Sequence, residues 1–121
     1  MYQTYLITGA TGFLGKAILQ LLLAHSRRVL ALVMDKDPLA YTISENVTVF
    51  CGDLTDKDTL RSFFAAGGDS FCVLHCAGLI SIASKPDEAL YAVNVQGTQN
   101  IVDLRREFGA SRLIYVSSVH A

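Results

Sequence analysis

The sequence predicts a doubly wound parallel α/β sheet with its strands in the order 3-2-1-4-5. Continuous apolar runs of strand length alternate along the chain with stretches in which apolar residues recur at helical spacing. A glycine-rich turn at residues 8–15 joins the first apolar run to the first helical stretch. Right-handed crossovers between parallel strands give this strand order and place functional residues at the carboxyl ends of the strands.

The first unit of the chain is a strand, a turn and a helix. Tyr5, Leu6 and Ile7 are predicted to end a buried strand. The helix that follows is predicted to end near His25. Its predicted buried stripe consists of apolar residues three and four positions apart, namely Leu14, Ala17, Ile18, Leu21 and Leu22.

The turn in this unit has the glycine spacing of a phosphate-binding loop. Gly9 permits a tight turn, Gly12 lets a ligand approach the backbone, and Gly15 lets the helix lie close to the sheet. Unpaired N–H groups and the helix dipole favour an anion at the start of a helix. The turn is therefore predicted to bind a pyrophosphate, whereas the same glycines in isolation would also suit an ordinary loop.

The remaining elements continue the alternation. Strands are predicted at residues 29–33, 47–51, 71–75 and 113–117. Helices are predicted over residues 53–67, with Thr55 as N-cap and Gly67 and Gly68 as the stop, and over residues 87–108, with Gly109 at the end. Residues 35–46 are polar, contain Pro38 and predict a loop.

The composition predicts one domain. The chain has 121 residues, of which 51% are hydrophobic, and a formal net charge of −1 without a basic block, which argues against a nucleic-acid surface. No apolar run approaches the ~18 residues of a membrane span, so we expect a soluble cytoplasmic protein. The three cysteines, Cys51, Cys72 and Cys76, are expected to be reduced core residues, and no metal site is expected.

Five short segments, in their order and spacing, resemble the extended short-chain dehydrogenase/reductase family, specifically its NAD-dependent epimerase/dehydratase and dihydroflavonol-reductase-like members. They are T-G-A-T-G-F-L-G at residues 8–15, G-D-L-T-D at 52–56, H-C-A-G at 75–78, N-V-Q-G-T at 94–98 and Y-V-S-S at 115–118. The resemblance spans essentially the whole chain and implies a Rossmann fold that holds NAD or NADP.

Residues at the strand ends are the candidate cofactor contacts. The Asp53 carboxylate could accept a hydrogen bond from the adenine amino group, with the Leu54 N–H on the ring, as the resemblance also implies. Alternatively Asp53 caps the next helix, although Thr55 or Asp56 could do so instead and leave Asp53 free. Ala77 and Gly78 are small enough for the backbone to lie against the cofactor, while His75 closes the strand. The candidate cofactor-binding residues are Gly9, Thr11, Gly12, Phe13, Leu14, Gly15, Asp35, Asp53, Leu54, Cys76, Ala77, Gly78, Asn94 and Ser117.

Asn94 lies on an otherwise apolar helix stripe. An unsatisfied buried amide costs about 1–3 kcal/mol, so Asn94 is expected to bond the backbone of the neighbouring strand.

The choice between NAD and NADP depends on the end of the second strand. An acidic residue there binds the ribose hydroxyls, and an arginine binds a 2′-phosphate. Asp35 comes slightly late and no arginine is present at this point, which favours NAD, although Lys36 could reverse the preference.

Ser118 is the candidate catalytic residue, because its hydroxyl follows the last strand and could hold a substrate oxygen; Ser117 is its competitor, and both could be plain loop residues. The family resemblance implies a catalytic tyrosine with a lysine four residues later. None of the five tyrosines has a lysine at that position. We therefore expect the chain to be the N-terminal portion of a larger protein and to be inactive alone.

The favoured function is the NAD(P)-binding portion of an oxidoreductase or epimerase, which acts by hydride transfer on a sugar nucleotide, steroid or flavonoid-like substrate. The alternative is a non-catalytic NAD(P)-sensing or scaffold protein. A flavin- or nucleotide-binding domain of another doubly wound family would lack the combined pattern of Asp53, Asn94 and Ser118, which is present. The last strand would be an uncharged edge, so we expect self-association, such as a homodimer, through that edge.

Overall fold

The computed structural model describes residues 4–34, 37, 43, 45–76 and 92–115. The strands are β1 (Thr4–Thr8), β2 (Arg28–Val33), β3 (Thr48–Cys51), β4 (Phe71–His75) and β5 (Arg112–Tyr115). They form one five-stranded parallel sheet in the order β3-β2-β1-β4-β5, which confirms the predicted class and strand order. Residues 116 and 117 of the predicted last strand lie outside the described residues.

The register aligns the carboxyl ends of the central strands. Thr8, the last residue of β1, pairs with Leu32 on one side and with His75, the last residue of β4, on the other. His75 in turn pairs with Tyr115 at the end of β5. The loops that follow these strands therefore leave the sheet at one edge, where the predicted site residues were expected.

The helices are α1 (Phe13–Ala24), α2 (Arg61–Ala65) and α3 (Gly97–Phe108). A 3₁₀ segment, Lys57–Leu60, precedes α2, and a π-helical segment, Ala92–Gln96, precedes α3. As predicted, α1 ends next to His25 and α3 ends at Gly109, whose φ of 69° is left-handed. Residues 87–91 of the predicted last helix lie outside the described residues.

The predicted helix over residues 53–67 starts later than expected, and of its candidate caps Thr55 is wrong and Asp56 is confirmed. Asp56 is the cap of the 3₁₀ segment, because its carboxylate accepts a hydrogen bond from the Asp58 N–H at 3.2 Å. Thr55 instead donates its own N–H and hydroxyl to Asp53 Oδ1, at 2.9 and 2.7 Å. These bonds hold residues 53–55 in a turn, which keeps them out of the helix.

Two apolar cores cover the two faces of the sheet. The core under α2 and α3 is aromatic at its centre, with the Phe63 and Phe64 rings edge to face at 5.8 Å. The core under α1 is aliphatic and includes Ile7, Leu19 and Val29. Cys72 is buried in the second core, as predicted.

The predicted buried stripe of α1 is partly wrong. Ile18 and Leu22 pack against the core as expected, whereas Leu14, Ala17 and Leu21 are exposed. The residues that face the sheet are Gly15, Ile18, Leu19, Leu22 and Leu23. Close contact between the Gly15 and Gly9 backbones sets the rotation of the helix, and periodicity alone could not reveal it.

Three other composition-based expectations can be compared with the structure. Cys51 is exposed at the end of the edge strand β3, so its prediction as a core residue is wrong; Cys76 is half-buried. Among the described residues, no cluster of His, Cys, Asp or Glu could hold a metal ion. No helix in the described ranges is long and apolar enough to cross a membrane.

Candidate functional site

The glycine turn between β1 and α1 is a compact, backbone-bonded loop. Gly9 has a φ of 74°, a conformation that side chains disfavour. Its carbonyl oxygen accepts the Gly12 N–H at 3.1 Å. A Cβ on Gly15 would lie 1.9 Å from the same oxygen, so the first turn of α1 packs on the loop with no room for a side chain. Gly9 and Gly15 are therefore required by the turn itself.

Gly12 differs from these two glycines. It is the N-cap of α1 in extended conformation, with φ −80° and ψ 172°, and as a glycine it makes no side-chain capping hydrogen bond. Within the described residues, a Cβ there would meet the Gly9 oxygen at an ordinary 3.4 Å. The described residues therefore leave room for a Cβ at Gly12, which lies at the positive end of the helix dipole.

The flanks of this turn are exposed. Phe13 is 98% exposed and Leu14 is 46% exposed, so these predicted contact residues are accessible at the start of the helix. Thr11 donates its hydroxyl to Asp37 Oδ2 at 2.9 Å. Asp37 was not predicted from the sequence, and the predicted Asp35 lies outside the described residues. The structure thus places a carboxylate at the turn, two residues beyond the expected one.

Asp53 and Leu54 follow β3 on the same edge of the sheet. The Asp53 side chain is exposed and does not cap the helix, although its Oδ1 is engaged by Thr55. Leu54 is buried, and its carbonyl oxygen accepts the Asn100 side-chain amide at 2.7 Å. Asn100 is 3% exposed and also accepts a hydrogen bond from Gln96 at 3.2 Å.

The Asn100 amide therefore ties α3 to the loop after β3, a role that was not predicted from the sequence. Asn94 lies half-buried in the π-helical segment and has interactions of its own. Its predicted bond to the backbone of the neighbouring strand stays a prediction.

His75 is the centre of a buried polar network that the sequence reasoning missed. It is 1% exposed, and its ring nitrogens lie 2.7 Å from Thr8 Oγ1 and 3.1 Å from Thr98 Oγ1. Its ring stacks on Tyr115 at a centroid distance of 5.5 Å. Burial lowers the pKa of His75 to about 4, so the imidazole is neutral at physiological pH.

Cys76 continues the chain from His75. Its N–H donates to the Thr8 carbonyl at 3.2 Å, and burial raises the pKa of its thiol. This residue therefore lies directly beside the start of the glycine turn. The other predicted site residues that follow β4 and β5 in the sequence lie outside the described residues; they are Ala77, Gly78, Ser117 and Ser118.

The sequence pattern of the 3-beta hydroxysteroid dehydrogenase/isomerase family matches residues 6–121. The chain belongs to this family. It is 36% identical to rat 3 beta-hydroxysteroid dehydrogenase type 7 over 122 aligned residues, which cover 95% of the chain and 35% of the relative. It is 33% identical to a provisionally named dihydroflavonol 4-reductase of Synechocystis sp., over 100% of the chain and 34% of that protein.

Solved structures agree with this family assignment. The UDP-glucose 4-epimerase of Thermus thermophilus, crystallised with NAD, superposes with a TM-score of 0.85 at 29% identity, over 95% of this chain and 37% of the epimerase. These matches confirm the predicted family and the Rossmann-type fold. The family member described here spans about a third of the length of the relatives that it matches.

Proposed function

We propose that this chain is the NAD(P)-binding portion of an oxidoreductase or epimerase that acts at a carbinol or carbonyl carbon. Sugar nucleotides, steroids and flavonoid-like molecules are the substrate classes, in keeping with the names of the relatives. The observation that carries the proposal is the open side of Gly12, where the described residues leave room for a Cβ and for a ligand at the helix start.

A dinucleotide fits the described residues. Backbone N–H groups at the start of α1 would hold its pyrophosphate, since the N-cap Gly12 has no side chain to cap them. The exposed carboxylate of Asp53 would accept a hydrogen bond from the adenine amino group, through the oxygen not used by Thr55. Asp37 or Asp35 would face the adenine ribose, and a carboxylate there favours NAD over NADP.

The residues proposed to contact the substrate and the reacting part of the cofactor are assigned from the sequence. Bound NAD(P) supplies the hydride acceptor or donor. Ser118 would hold the substrate oxygen, with Ser117 beside it, and the backbone of Ala77 and Gly78 would lie along the cofactor next to Cys76. Proton transfer requires a residue that the chain does not contain in the family's spacing, so we expect cofactor binding without turnover.

Self-association through β5 is also proposed. In the described sheet β5 is an end strand, and its Ile114 and Tyr115 side chains are 42% and 50% exposed. Arg112 begins this strand, but residues 113–115 carry no charge, and an uncharged stretch of an edge strand favours pairing with a second copy. Light scattering should show a dimer at high concentration, and a monomer under those conditions would contradict this.

Calorimetric titration of the chain with NAD⁺ tests the cofactor proposal. We expect saturable binding that Gly12→Ala weakens at least about tenfold by blocking the backbone approach. Gln20→Ala, an exposed change farther along α1, is the matched control and should bind like the wild type. Absence of binding, or equal binding by the Gly12 variant, would overturn the proposal.

A further inference from the structure

His75 connects three elements through one buried ring. It ends β4, while its two partners come from elsewhere: Thr8 ends β1 and Thr98 is the second residue of α3. Its nitrogens are 2.7 Å from the Thr8 hydroxyl and 3.1 Å from the Thr98 hydroxyl. A neutral imidazole has one donor and one acceptor nitrogen, so one hydroxyl donates to the ring and the other accepts from it.

Thr8 carries this link to the glycine turn. Gly9, with its left-handed φ of 74°, follows it directly. Thr8 is held at its backbone as well, because its carbonyl accepts the Cys76 N–H at 3.2 Å. The orientation of the residue before the turn is thus set both by the strand ladder and by the His75 ring.

Thr98 carries the link to the helix on the other side. It lies where the π-helical segment Ala92–Gln96 gives way to α3, one residue after Gly97. A Cβ on Gly97 would be 3.0 Å from the Leu54 Cβ, so this end of α3 packs closely on the loop after β3. The helix start that contacts the Asp53–Leu54 side of the site is therefore joined to the glycine turn through His75.

We propose that His75 is a positioning residue, which fixes the glycine turn relative to the start of α3 by bonding Thr8 and Thr98 simultaneously. This inference rests on the proposed function, because the turn is assigned to the cofactor there. His75 itself lies beneath the surface of the site and acts through Thr8. If the His75 ring only filled space in the core, hydroxyl groups on both sides of it would not be required. A positioning role does require them.

The matched pair Thr98→Val and Thr98→Ser tests the link. Valine keeps the shape and removes the hydroxyl, while serine keeps the hydroxyl. We expect Thr98→Val to shift the amide NMR signals of Gly9, Gly12 and Gly15 in the ligand-free protein and to raise the NAD⁺ dissociation constant by about two- to tenfold. Thr98→Ser should restore both readouts to near the wild-type values.

Shifts confined to the neighbourhood of residue 98, with an unchanged turn, would overturn the proposal. If the wild type does not bind NAD⁺, the proposed function fails, and the amide shifts of the turn still decide the role of His75. If Thr98→Val does not fold, the ¹⁵N signals of the His75 ring in the wild type decide it. One fixed neutral tautomer supports the two hydroxyl bonds, and an averaged pair of tautomers contradicts them.

Discussion

The Nδ1 atom of His75 lies 2.7 Å from the Thr8 hydroxyl, across the ladder that pairs β4 with β1. Both residues are buried, at 1% and 0% exposure. A hydrogen bond to a hydroxyl group satisfies a nitrogen of the buried ring while the ring stays uncharged. The environment of the His75 ring therefore determines how the stability of the protein depends on pH.

The stability of the fold should fall as the pH is lowered through the titration range of His75. Burial lowers its pKa from 6.5 to about 4 in the folded chain. Between these values the unfolded chain binds a proton that the folded chain does not, so the free energy of unfolding decreases as pH falls. The loss should total roughly 3 kcal/mol, with full stability above the unfolded pKa.

Urea unfolding at pH 7, 5.5 and 4.5 measures this loss. Among the described residues, the partners found for the ring are two hydroxyls and the Tyr115 ring, with no carboxylate to hold a proton on it. His25→Asn, a change at an exposed histidine, is the matched control. A stability that stays flat from pH 7 to 4.5 would contradict the buried neutral state.

Gly15→Ala should destabilise the fold more than Gly12→Ala. The new Cβ at position 15 would lie 1.9 Å from the Gly9 oxygen, whereas at position 12 the distance is 3.4 Å. We expect a loss of about 2 kcal/mol or more from overpacking at Gly15, and less than about 1 kcal/mol at the N-cap Gly12. Thermal and urea unfolding compare them; equal losses would refute the difference in packing.

Asn100→Leu should cost about 1–3 kcal/mol of stability, because the buried Leu54 carbonyl loses its donor. The same change at the exposed Gln99, whose amide pairs with Asp103, should stay within about 0.5 kcal/mol. Urea unfolding of the two variants gives the comparison. Similar small effects for both would mean that the Asn100 bond contributes little to the packing of α3.

Asp37→Asn should shift cofactor preference toward NADP⁺ by on the order of 1 kcal/mol, since a carboxylate near the turn repels a 2′-phosphate. The bond from Thr11 places this carboxylate at the turn. Calorimetry with NAD⁺ and NADP⁺ measures the ratio of affinities, and Asp35→Asn is the matched comparison. If only Asp35→Asn changes the ratio, the residue first predicted from the sequence is the determinant.

The strand order followed from the sequence because strongly apolar runs in an alternating α/β pattern leave few topologies. The turn at Gly9 and the helix end at Gly109 could also be predicted from the sequence, because their left-handed backbone conformations by themselves require glycine. The roles of Asn100 and His75 could not be predicted from the sequence, because they depend on which neighbour the fold brings within hydrogen-bond distance.

Contacts made only in the folded chain also explain the wrong predictions for α1 and Thr55. Leu14 and Leu21 have the right spacing for a buried stripe, yet the contact of Gly15 with Gly9 turns them outward. Thr55 is a good capping residue, but its hydroxyl donates a hydrogen bond to the Asp53 carboxylate, and Asp56 is the cap instead. In each case a contact that periodicity and propensity do not register decided the outcome.

The most direct test of the dinucleotide site is an amide NMR titration of the ¹⁵N-labelled chain with NAD⁺. The proposed function predicts the largest shift changes at Gly9, Gly12 and Gly15 and a second group at Asp53 and Leu54, with His25 at the far end of α1 almost unmoved. Saturable shifts that map elsewhere, or no shifts at millimolar NAD⁺, would contradict the assignment of this turn to the cofactor.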